Sequence, residues 1–206
     1  MNSFCRIAAV GGLSFAFAAP AAIGAEPVKS EARGFGWYVG TGIGPGFGAK
    51  FKRNGQSLTF DDVLQGSTDQ SSLIAVNLVN AGIALSPSLL FGIGVSAVGQ
   101  TGTFVGKETH LQINNYLATL TWFPVEQGFF VRGGLGPSSM LIEDGVSTVR
   151  ANGFGALVGA GYAVPIARRH NVTFTVDHSR QSYNGSATKP DSSQFTAVYL
   201  GYMYRR

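Results

Sequence analysis

The sequence predicts an all-β protein: a closed antiparallel transmembrane β-barrel of about eight strands in up-and-down order. Three observations carry this expectation. Apolar residues alternate with small or weakly polar ones at period two through most of the chain, charges gather between the alternating segments, and the connections are short and long by turns.

A leader precedes the strands. Arg6 is the only charge before the apolar run Ile7 to Ala19, which Pro20 and further small residues follow. This is the pattern of a secretory signal peptide, and its apolar core falls short of the roughly 20 residues a spanning helix needs. Cleavage points after Ala21 or Ala25 divide the chain into a leader at 1–25 and one barrel domain at 26–206. The single cysteine, Cys5, lies ahead of the apolar core, so it suits no lipid anchor, and it leaves with the leader.

Composition narrows the class. Charged residues make up 13% of the chain, against about 25% in ordinary soluble proteins, and there are 29 glycines and 15 phenylalanines. The net charge of +4, which falls by one when Arg6 is removed, is too small and scattered for nucleic acid. Beyond the leader no apolar run reaches 18 residues, so a membrane form must be a closed barrel, the other structure that pairs every backbone group away from water.

The strands follow in order. In Gly34 to Gly44, Trp37, Val39, Thr41 and Ile43 share one face, opposite Tyr38 and Gly36, Gly40, Gly42 and Gly44. Leu73 to Leu85 is the least regular segment, because Asn77 and Asn80 fall on opposite faces. In Leu89 to Val98, Phe91, Ile93 and Val95 alternate with Gly92, Gly94 and Ser96. Tyr116, Ala118, Leu120 and Trp122 then oppose Asn115, Thr119 and Thr121, and Phe129, Val131 and Leu135 oppose Arg132, Gly134 and Gly136. The sixth segment sets Phe154, Ala156, Val158, Ala160, Tyr162 and Val164 against Gly153, Gly155, Leu157, Gly159 and Gly161. In the seventh, Val172, Phe174 and Val176 alternate with Thr173, Thr175 and Asp177, and in the eighth Val198, Leu200, Tyr202 and Tyr204 alternate with Ala197, Tyr199, Gly201 and Met203. A soluble barrel would carry charges on its outward face. Here neither face is charged, which suits lipid outside and a narrow, weakly polar interior.

Connection lengths set the orientation. Long connections at 45–72, 99–110, 137–151 and 181–193 are read as external loops, and the short turns Ser86 to Ser88, Pro124 to Gln127 and Pro165 to Arg169 as periplasmic, with both termini on the periplasmic side. Each short turn contains a proline, whose missing N–H costs no ladder bond there. Trp37, Trp122, Phe129, Tyr202 and Tyr204 fall near the periplasmic strand ends, where amphipathic rings favour the membrane interface.

Phe129 to Gly136 after the turn at Pro124, the Gly-rich strand Gly153 to Val164 and the terminal strand Phe195 to Tyr204 together resemble the small outer-membrane barrels of the OmpX and OmpA transmembrane type. The resemblance covers nearly all of the mature chain and implies an architecture in the bacterial outer membrane, not an activity. Such barrels usually end on an aromatic residue; here Arg205 and Arg206 follow Tyr204. A more distant resemblance, to PagL-like lipid A deacylases, rests on Asp177-His178-Ser179 near the external end of a late strand, with His110 at the external end of the fourth. That family places a His and a Ser two residues apart on the outward face; here Asp177 holds the position two before Ser179. Strand geometry turns Asp177 and Ser179 inward and His178 outward, so His178, Ser179 and His110 are weak catalytic candidates.

Arg132 is expected to point inward, where a charge must be paired, with Asp177, Thr121 and Thr175 as candidate partners and Thr119 beside them. An eight-stranded barrel has room inside for side chains only, so no open pore is expected, and a narrow small-solute channel is the alternative. Gly40-Thr41-Gly42-Ile43-Gly44 resembles a dinucleotide loop but reads better as a crowded inner strand face. Three histidines without paired spacing make no metal site, and no cofactor is implied. The partners expected of a monomer of this kind are membrane lipid, lipopolysaccharide and ligands of the external loops, where Lys50, Lys52 and Arg53 can face anionic headgroups.

Overall fold

The computed structural model describes residues 36–104, 106–125, 128–144, 146–184 and 189–206; the leader at 1–25 lies outside them. β1 (Gly36–Arg53) turns back into the short β2 (Gln56–Thr59) and the one-turn helix α1 (Phe60–Leu64). Then follow β3 (Ile74–Ser86), β4 (Leu89–Phe104), β5 (Lys107–Trp122), β6 (Phe129–Glu143), β7 (Thr148–Ala167), β8 (His170–Tyr183) and β9 (Ser192–Arg205). Apart from β2, each strand pairs antiparallel with its sequence neighbours, and β1 closes on β9 through pairs such as Val39 with Tyr204 and Ile43 with Leu200. The result is a closed eight-stranded up-and-down barrel with β2 as an added strand on β1.

Side chains divide as the period-two pattern requires. Phe154, Val158, Phe174 and Leu200 are 53–64% exposed on the outer wall, while Leu157, Thr175 and Tyr199 between them are buried inside. The irregular segment in β3 has a local cause. Its register slips between Asn77 and Val79 against β4, and between Gly40 and Gly42 on the β1 side, so Leu78 and Val79 together face Thr41. This β-bulge turns both asparagines into the lumen, which corrects the expectation that they lie on opposite faces.

The four long connections also need correction. Segments 99–110, 137–151 and 181–193 are mostly ladder: pairing runs to Phe104 with Lys107, Glu143 with Thr148, and Ser182 with Ser192, and the first part of 45–72 continues β1 to Arg53. They do not read as strands because the hydrophobic sign of the alternation reverses there. In β5, Tyr116, Leu120 and Trp122 point outward, but further up the strand Leu111 and Ile113 point inward while Gln112 and Asn114 face out. Met140 of β6, Val98 of β4 and Phe195 of β9 repeat the reversal. In β1 it is made by a register shift between Phe47 and Lys50, where Gly48 takes a φ of 58° that a side chain would resist. Below it Phe47 faces out; above it Phe51 faces in and Lys50 and Lys52 face out.

The upper interior is therefore an apolar core of Phe51, Leu111, Ile113, Met140 and Phe195, among others, onto which α1 adds Phe60 and Leu64. Thr59 caps that helix. Its hydroxyl accepts from the Asp62 N–H at 3.0 Å and its own N–H donates to Asp62 Oδ2 at 2.8 Å, which holds the Asp62 carboxyl below its ordinary range. At the short-turn end β7 runs past Pro165 to Ala167, so the turn there is Arg168-Arg169, shorter than the proline signal implies. Pro165, in register with Asn171, is exposed at the rim of the short-turn end.

Candidate functional site

Below the apolar core the lumen turns polar. Arg132 of β6 and Asp177 of β8 form a two-pronged ion pair: Arg132 Nε donates to Asp177 Oδ1 at 2.8 Å, and the Arg132 terminal nitrogen meets Asp177 Oδ2. Both side chains are buried, at 8% and 1% exposure. The pair spans the intervening strand, because Arg132 and Asp177 each stand in register with Gly159 of β7. A Cβ at Gly159 would collide with the Asp177 carboxylate, so this glycine is the gap through which the two charges meet. Thr121 lies in register with Arg132, and Thr175 is buried near it. Thr119 donates to Asn80 Oδ1 at 3.5 Å, and the Tyr38 hydroxyl donates to the same oxygen at 3.2 Å. The gaps left here are small, about 40 Å³ and about 10 Å³, both lined by Asn77, Asn80 and Arg132.

One level higher lies a second polar layer, which extends beyond the residues the sequence singled out. Gln181 Nε2 donates to Ser179 Oγ at 2.8 Å and to Asn115 Oδ1 at 3.1 Å, and Asn115 Nδ2 donates to Ser179 Oγ at 3.2 Å. Ser193 Oγ donates to Gln181 Oε1 at 2.7 Å and lies 2.6 Å from the Tyr183 hydroxyl. The visible signal for Gln181 and Tyr183 is that Thr175, Asp177 and Ser179 continue to them at period two; reading 181–193 as a loop hides it.

The three weak catalytic candidates stand apart. Ser179 is fully buried in this network and also donates to the Ala156 carbonyl at 3.2 Å. His178 lies on the outer wall, 3.1 Å from Thr196 Oγ1, and His110 pairs with Glu108 at 3.5 Å on β5. Hydroxyl and imidazoles thus occupy opposite sides of the wall, and no proton relay connects them.

The short-turn end is closed by Tyr38, Leu90, Phe123 and Phe130. Arg205, near the chain end, turns inward rather than trailing from the barrel. Its guanidinium lies 5.5 Å from the Phe123 ring centre and donates to the Ser86 carbonyl at 3.3 Å. Outside at this end, Trp37, Trp122, Phe129 and Tyr202 are exposed and Tyr204 half-buried, with the Trp37 and Tyr204 rings 5.0 Å apart.

No protein-family model matches this sequence, and no curated protein matches it. Solved structures do. Neisserial surface protein A, NspA, aligns with 84% of this chain and 98% of its own at 13% identity and a TM-score of 0.51. The outer membrane protein OprG from Pseudomonas aeruginosa covers 85% of this chain and 97% of its own, with 13% identity and a TM-score of 0.37. Ail, the attachment invasion locus protein of Yersinia pestis, covers 83% and 99% in its complex with the heparin analogue sucrose octasulfate, with 10% identity and a TM-score of 0.44. The likeness to NspA is one of fold: this chain has the architecture of a small outer-membrane β-barrel protein.

Proposed function

We propose that this protein is a monomeric barrel of the bacterial outer membrane with a structural and surface-interaction role, and that it conducts no solute. The observation that carries the reading is the reversal of hydrophobic sign along single strands. Apolar side chains face out where lipid surrounds the wall and face in where water does. On β1 the outward apolar run extends from Trp37 to Phe47, and on β7 from Phe154 to Val164. Each covers about 33 Å of strand, and a tilt of about 40° makes that a band about 25 Å tall, the height of the apolar belt in outer-membrane barrels. The exposed Trp37, Trp122, Phe129 and Tyr202, with Tyr204, then form the periplasmic aromatic girdle, both ends of the mature chain face the periplasm, and the hairpins above the band project outside.

A lumen filled by an ion pair, a hydrogen-bonded layer and an apolar core supports the absence of a pore. Fractionation of cells producing the chain should recover it, without residues 1–25, in the outer membrane as a band whose gel mobility changes on boiling. Recovery as a soluble protein overturns the reading. Planar bilayers should show no discrete conductance steps. The burial of Ser179 away from any histidine favours binding over hydrolysis, so Ser179→Ala should leave the lipid A mass spectrum unchanged; a shift in acyl content would restore the deacylase alternative.

A further inference from the structure

We infer that the outer face of β8, β9 and β1, just above the apolar band, holds a phosphate group of a phosphorylated glycolipid in the outer leaflet, through Lys50, Lys52 and Arg180. The inference rests on the membrane reading above.

These three cations converge through the register. Arg180 pairs with Gln194, which pairs with Lys50; one step up, Ser182 pairs with Ser192, which pairs with Lys52. With neighbouring strands about 4.8 Å apart and a rise of about 3.4 Å per residue, Arg180 stands about 10 Å from Lys50 across β9, and Lys52 about 7 Å further along β1. Between them lies a recess of about 100 Å³, lined by Lys50, Lys52, Arg180, Ser192 and Gln194, with Ser57 of β2 at its upper edge. That is several times what one water needs, about 10–15 Å³. All three side chains are exposed, and none is ion-paired among the described residues. The nearby carboxylate, Asp191, whose N–H donates to the Lys52 carbonyl, makes no ion pair either. Three unpaired cations around one recess raise the affinity for an anion with several acceptor oxygens.

What lies beneath selects a lipid over a soluble anion. Directly below the cations His178, Thr196 and the exposed Phe47 stand in one row across the three strands, the first two hydrogen-bonded to each other, and below that row come the exposed Val176 and Leu200. A ligand with phosphate above and acyl chains below matches this sequence of surfaces; a free oxyanion uses only its upper part. The Gly48 bulge supplies the juxtaposition, since without the shift in β1 Lys50 and Lys52 would enter the lumen and Phe51 would face out.

The test uses the refolded chain in detergent, titrated with bisphosphorylated lipid A and read by native mass spectrometry. Replacing all three cations, Lys50→Gln, Lys52→Gln and Arg180→Gln, should weaken binding about 100-fold, while Lys107→Gln with Arg150→Gln, outside the recess, should leave it unchanged. Should the triple variant lose the heat-modifiable gel shift that reports folding, each single variant should still weaken binding about fivefold. Undiminished binding by the folded triple variant, or by every single one, overturns the site. Equal binding of dephosphorylated lipid A removes the phosphate contact, and inorganic phosphate alone binding as tightly as the lipid makes this a free-anion site and overturns the lipid assignment. Failure here with the protein still in outer-membrane fractions counts against the site alone; absence from those fractions counts against the membrane reading itself.

Discussion

The lower and upper halves of this barrel are made of the same strands with the same period, yet they are built inside out relative to one another. Below, Phe91, Leu120, Leu135 and Val158 coat the outside while Arg132, Asp177, Asn80 and Thr119 occupy the axis. Above, Leu111, Ile113, Met140 and Phe195 fill the axis while Lys50, Gln112, Asn114 and Arg150 face out. Hydrogen bonding does not distinguish the halves, because the ladder runs through both. On the membrane reading proposed above, what differs is the medium outside the wall, and each half buries from its surroundings whatever that medium solvates least. Between the upper core and the apolar cluster of Tyr38, Leu90, Phe123 and Phe130 that closes the short-turn end, the lower interior is satisfied by polar pairing, chiefly Arg132 with Asp177.

The comparison is broken most forcefully at that pairing. Asp177→Leu should destabilise the barrel by about 3–5 kcal/mol, as read from urea unfolding in lipid vesicles, because Arg132 is left buried and alone. Adding Arg132→Met should recover most of the loss; a double variant as unstable as the single would mean that the pair is not what holds the lower interior together. A smaller effect tests the outer wall of one strand at two heights. Val158→Arg, in the proposed lipid band, should cost about 2–4 kcal/mol, whereas Asn152→Arg, outward on the same β7 but above the band, should stay within about 0.5 kcal/mol. Equal costs would erase the distinction between the halves. The smallest effect sharpens the account of the upper half alone: Thr59→Ala should destabilise the α1 cap by about 1 kcal/mol, seen as faster hydrogen exchange at the Asp62 amide with the wall amides of β6 to β8 unchanged.

Much of this was legible residue by residue. Alternation from Phe154 to Val164 specifies a two-faced strand without reference to anything else in the chain, and adjacency alone turns Asp177 and Ser179 one way and His178 the other. The upper strand segments were hidden for an identifiable reason: a search for outward apolar residues stops at Tyr116, where the pattern continues with its sign reversed through Ile113 and Leu111.

The sequence by itself determined a closed antiparallel barrel and which residues share a face over most of each strand, because period two is a local property of extended backbone. The tertiary structure decided what depends on a partner strand. The bulge at Leu78 brings Asn77 and Asn80 to the same side, and the shift at Gly48 turns Lys50 outward. The choice of Asp177 for Arg132, among three candidates on the inner face, follows from a register that sets both opposite Gly159. Register is a relation between strands distant in sequence, fixed only when the sheet closes, and no window along one strand contains it.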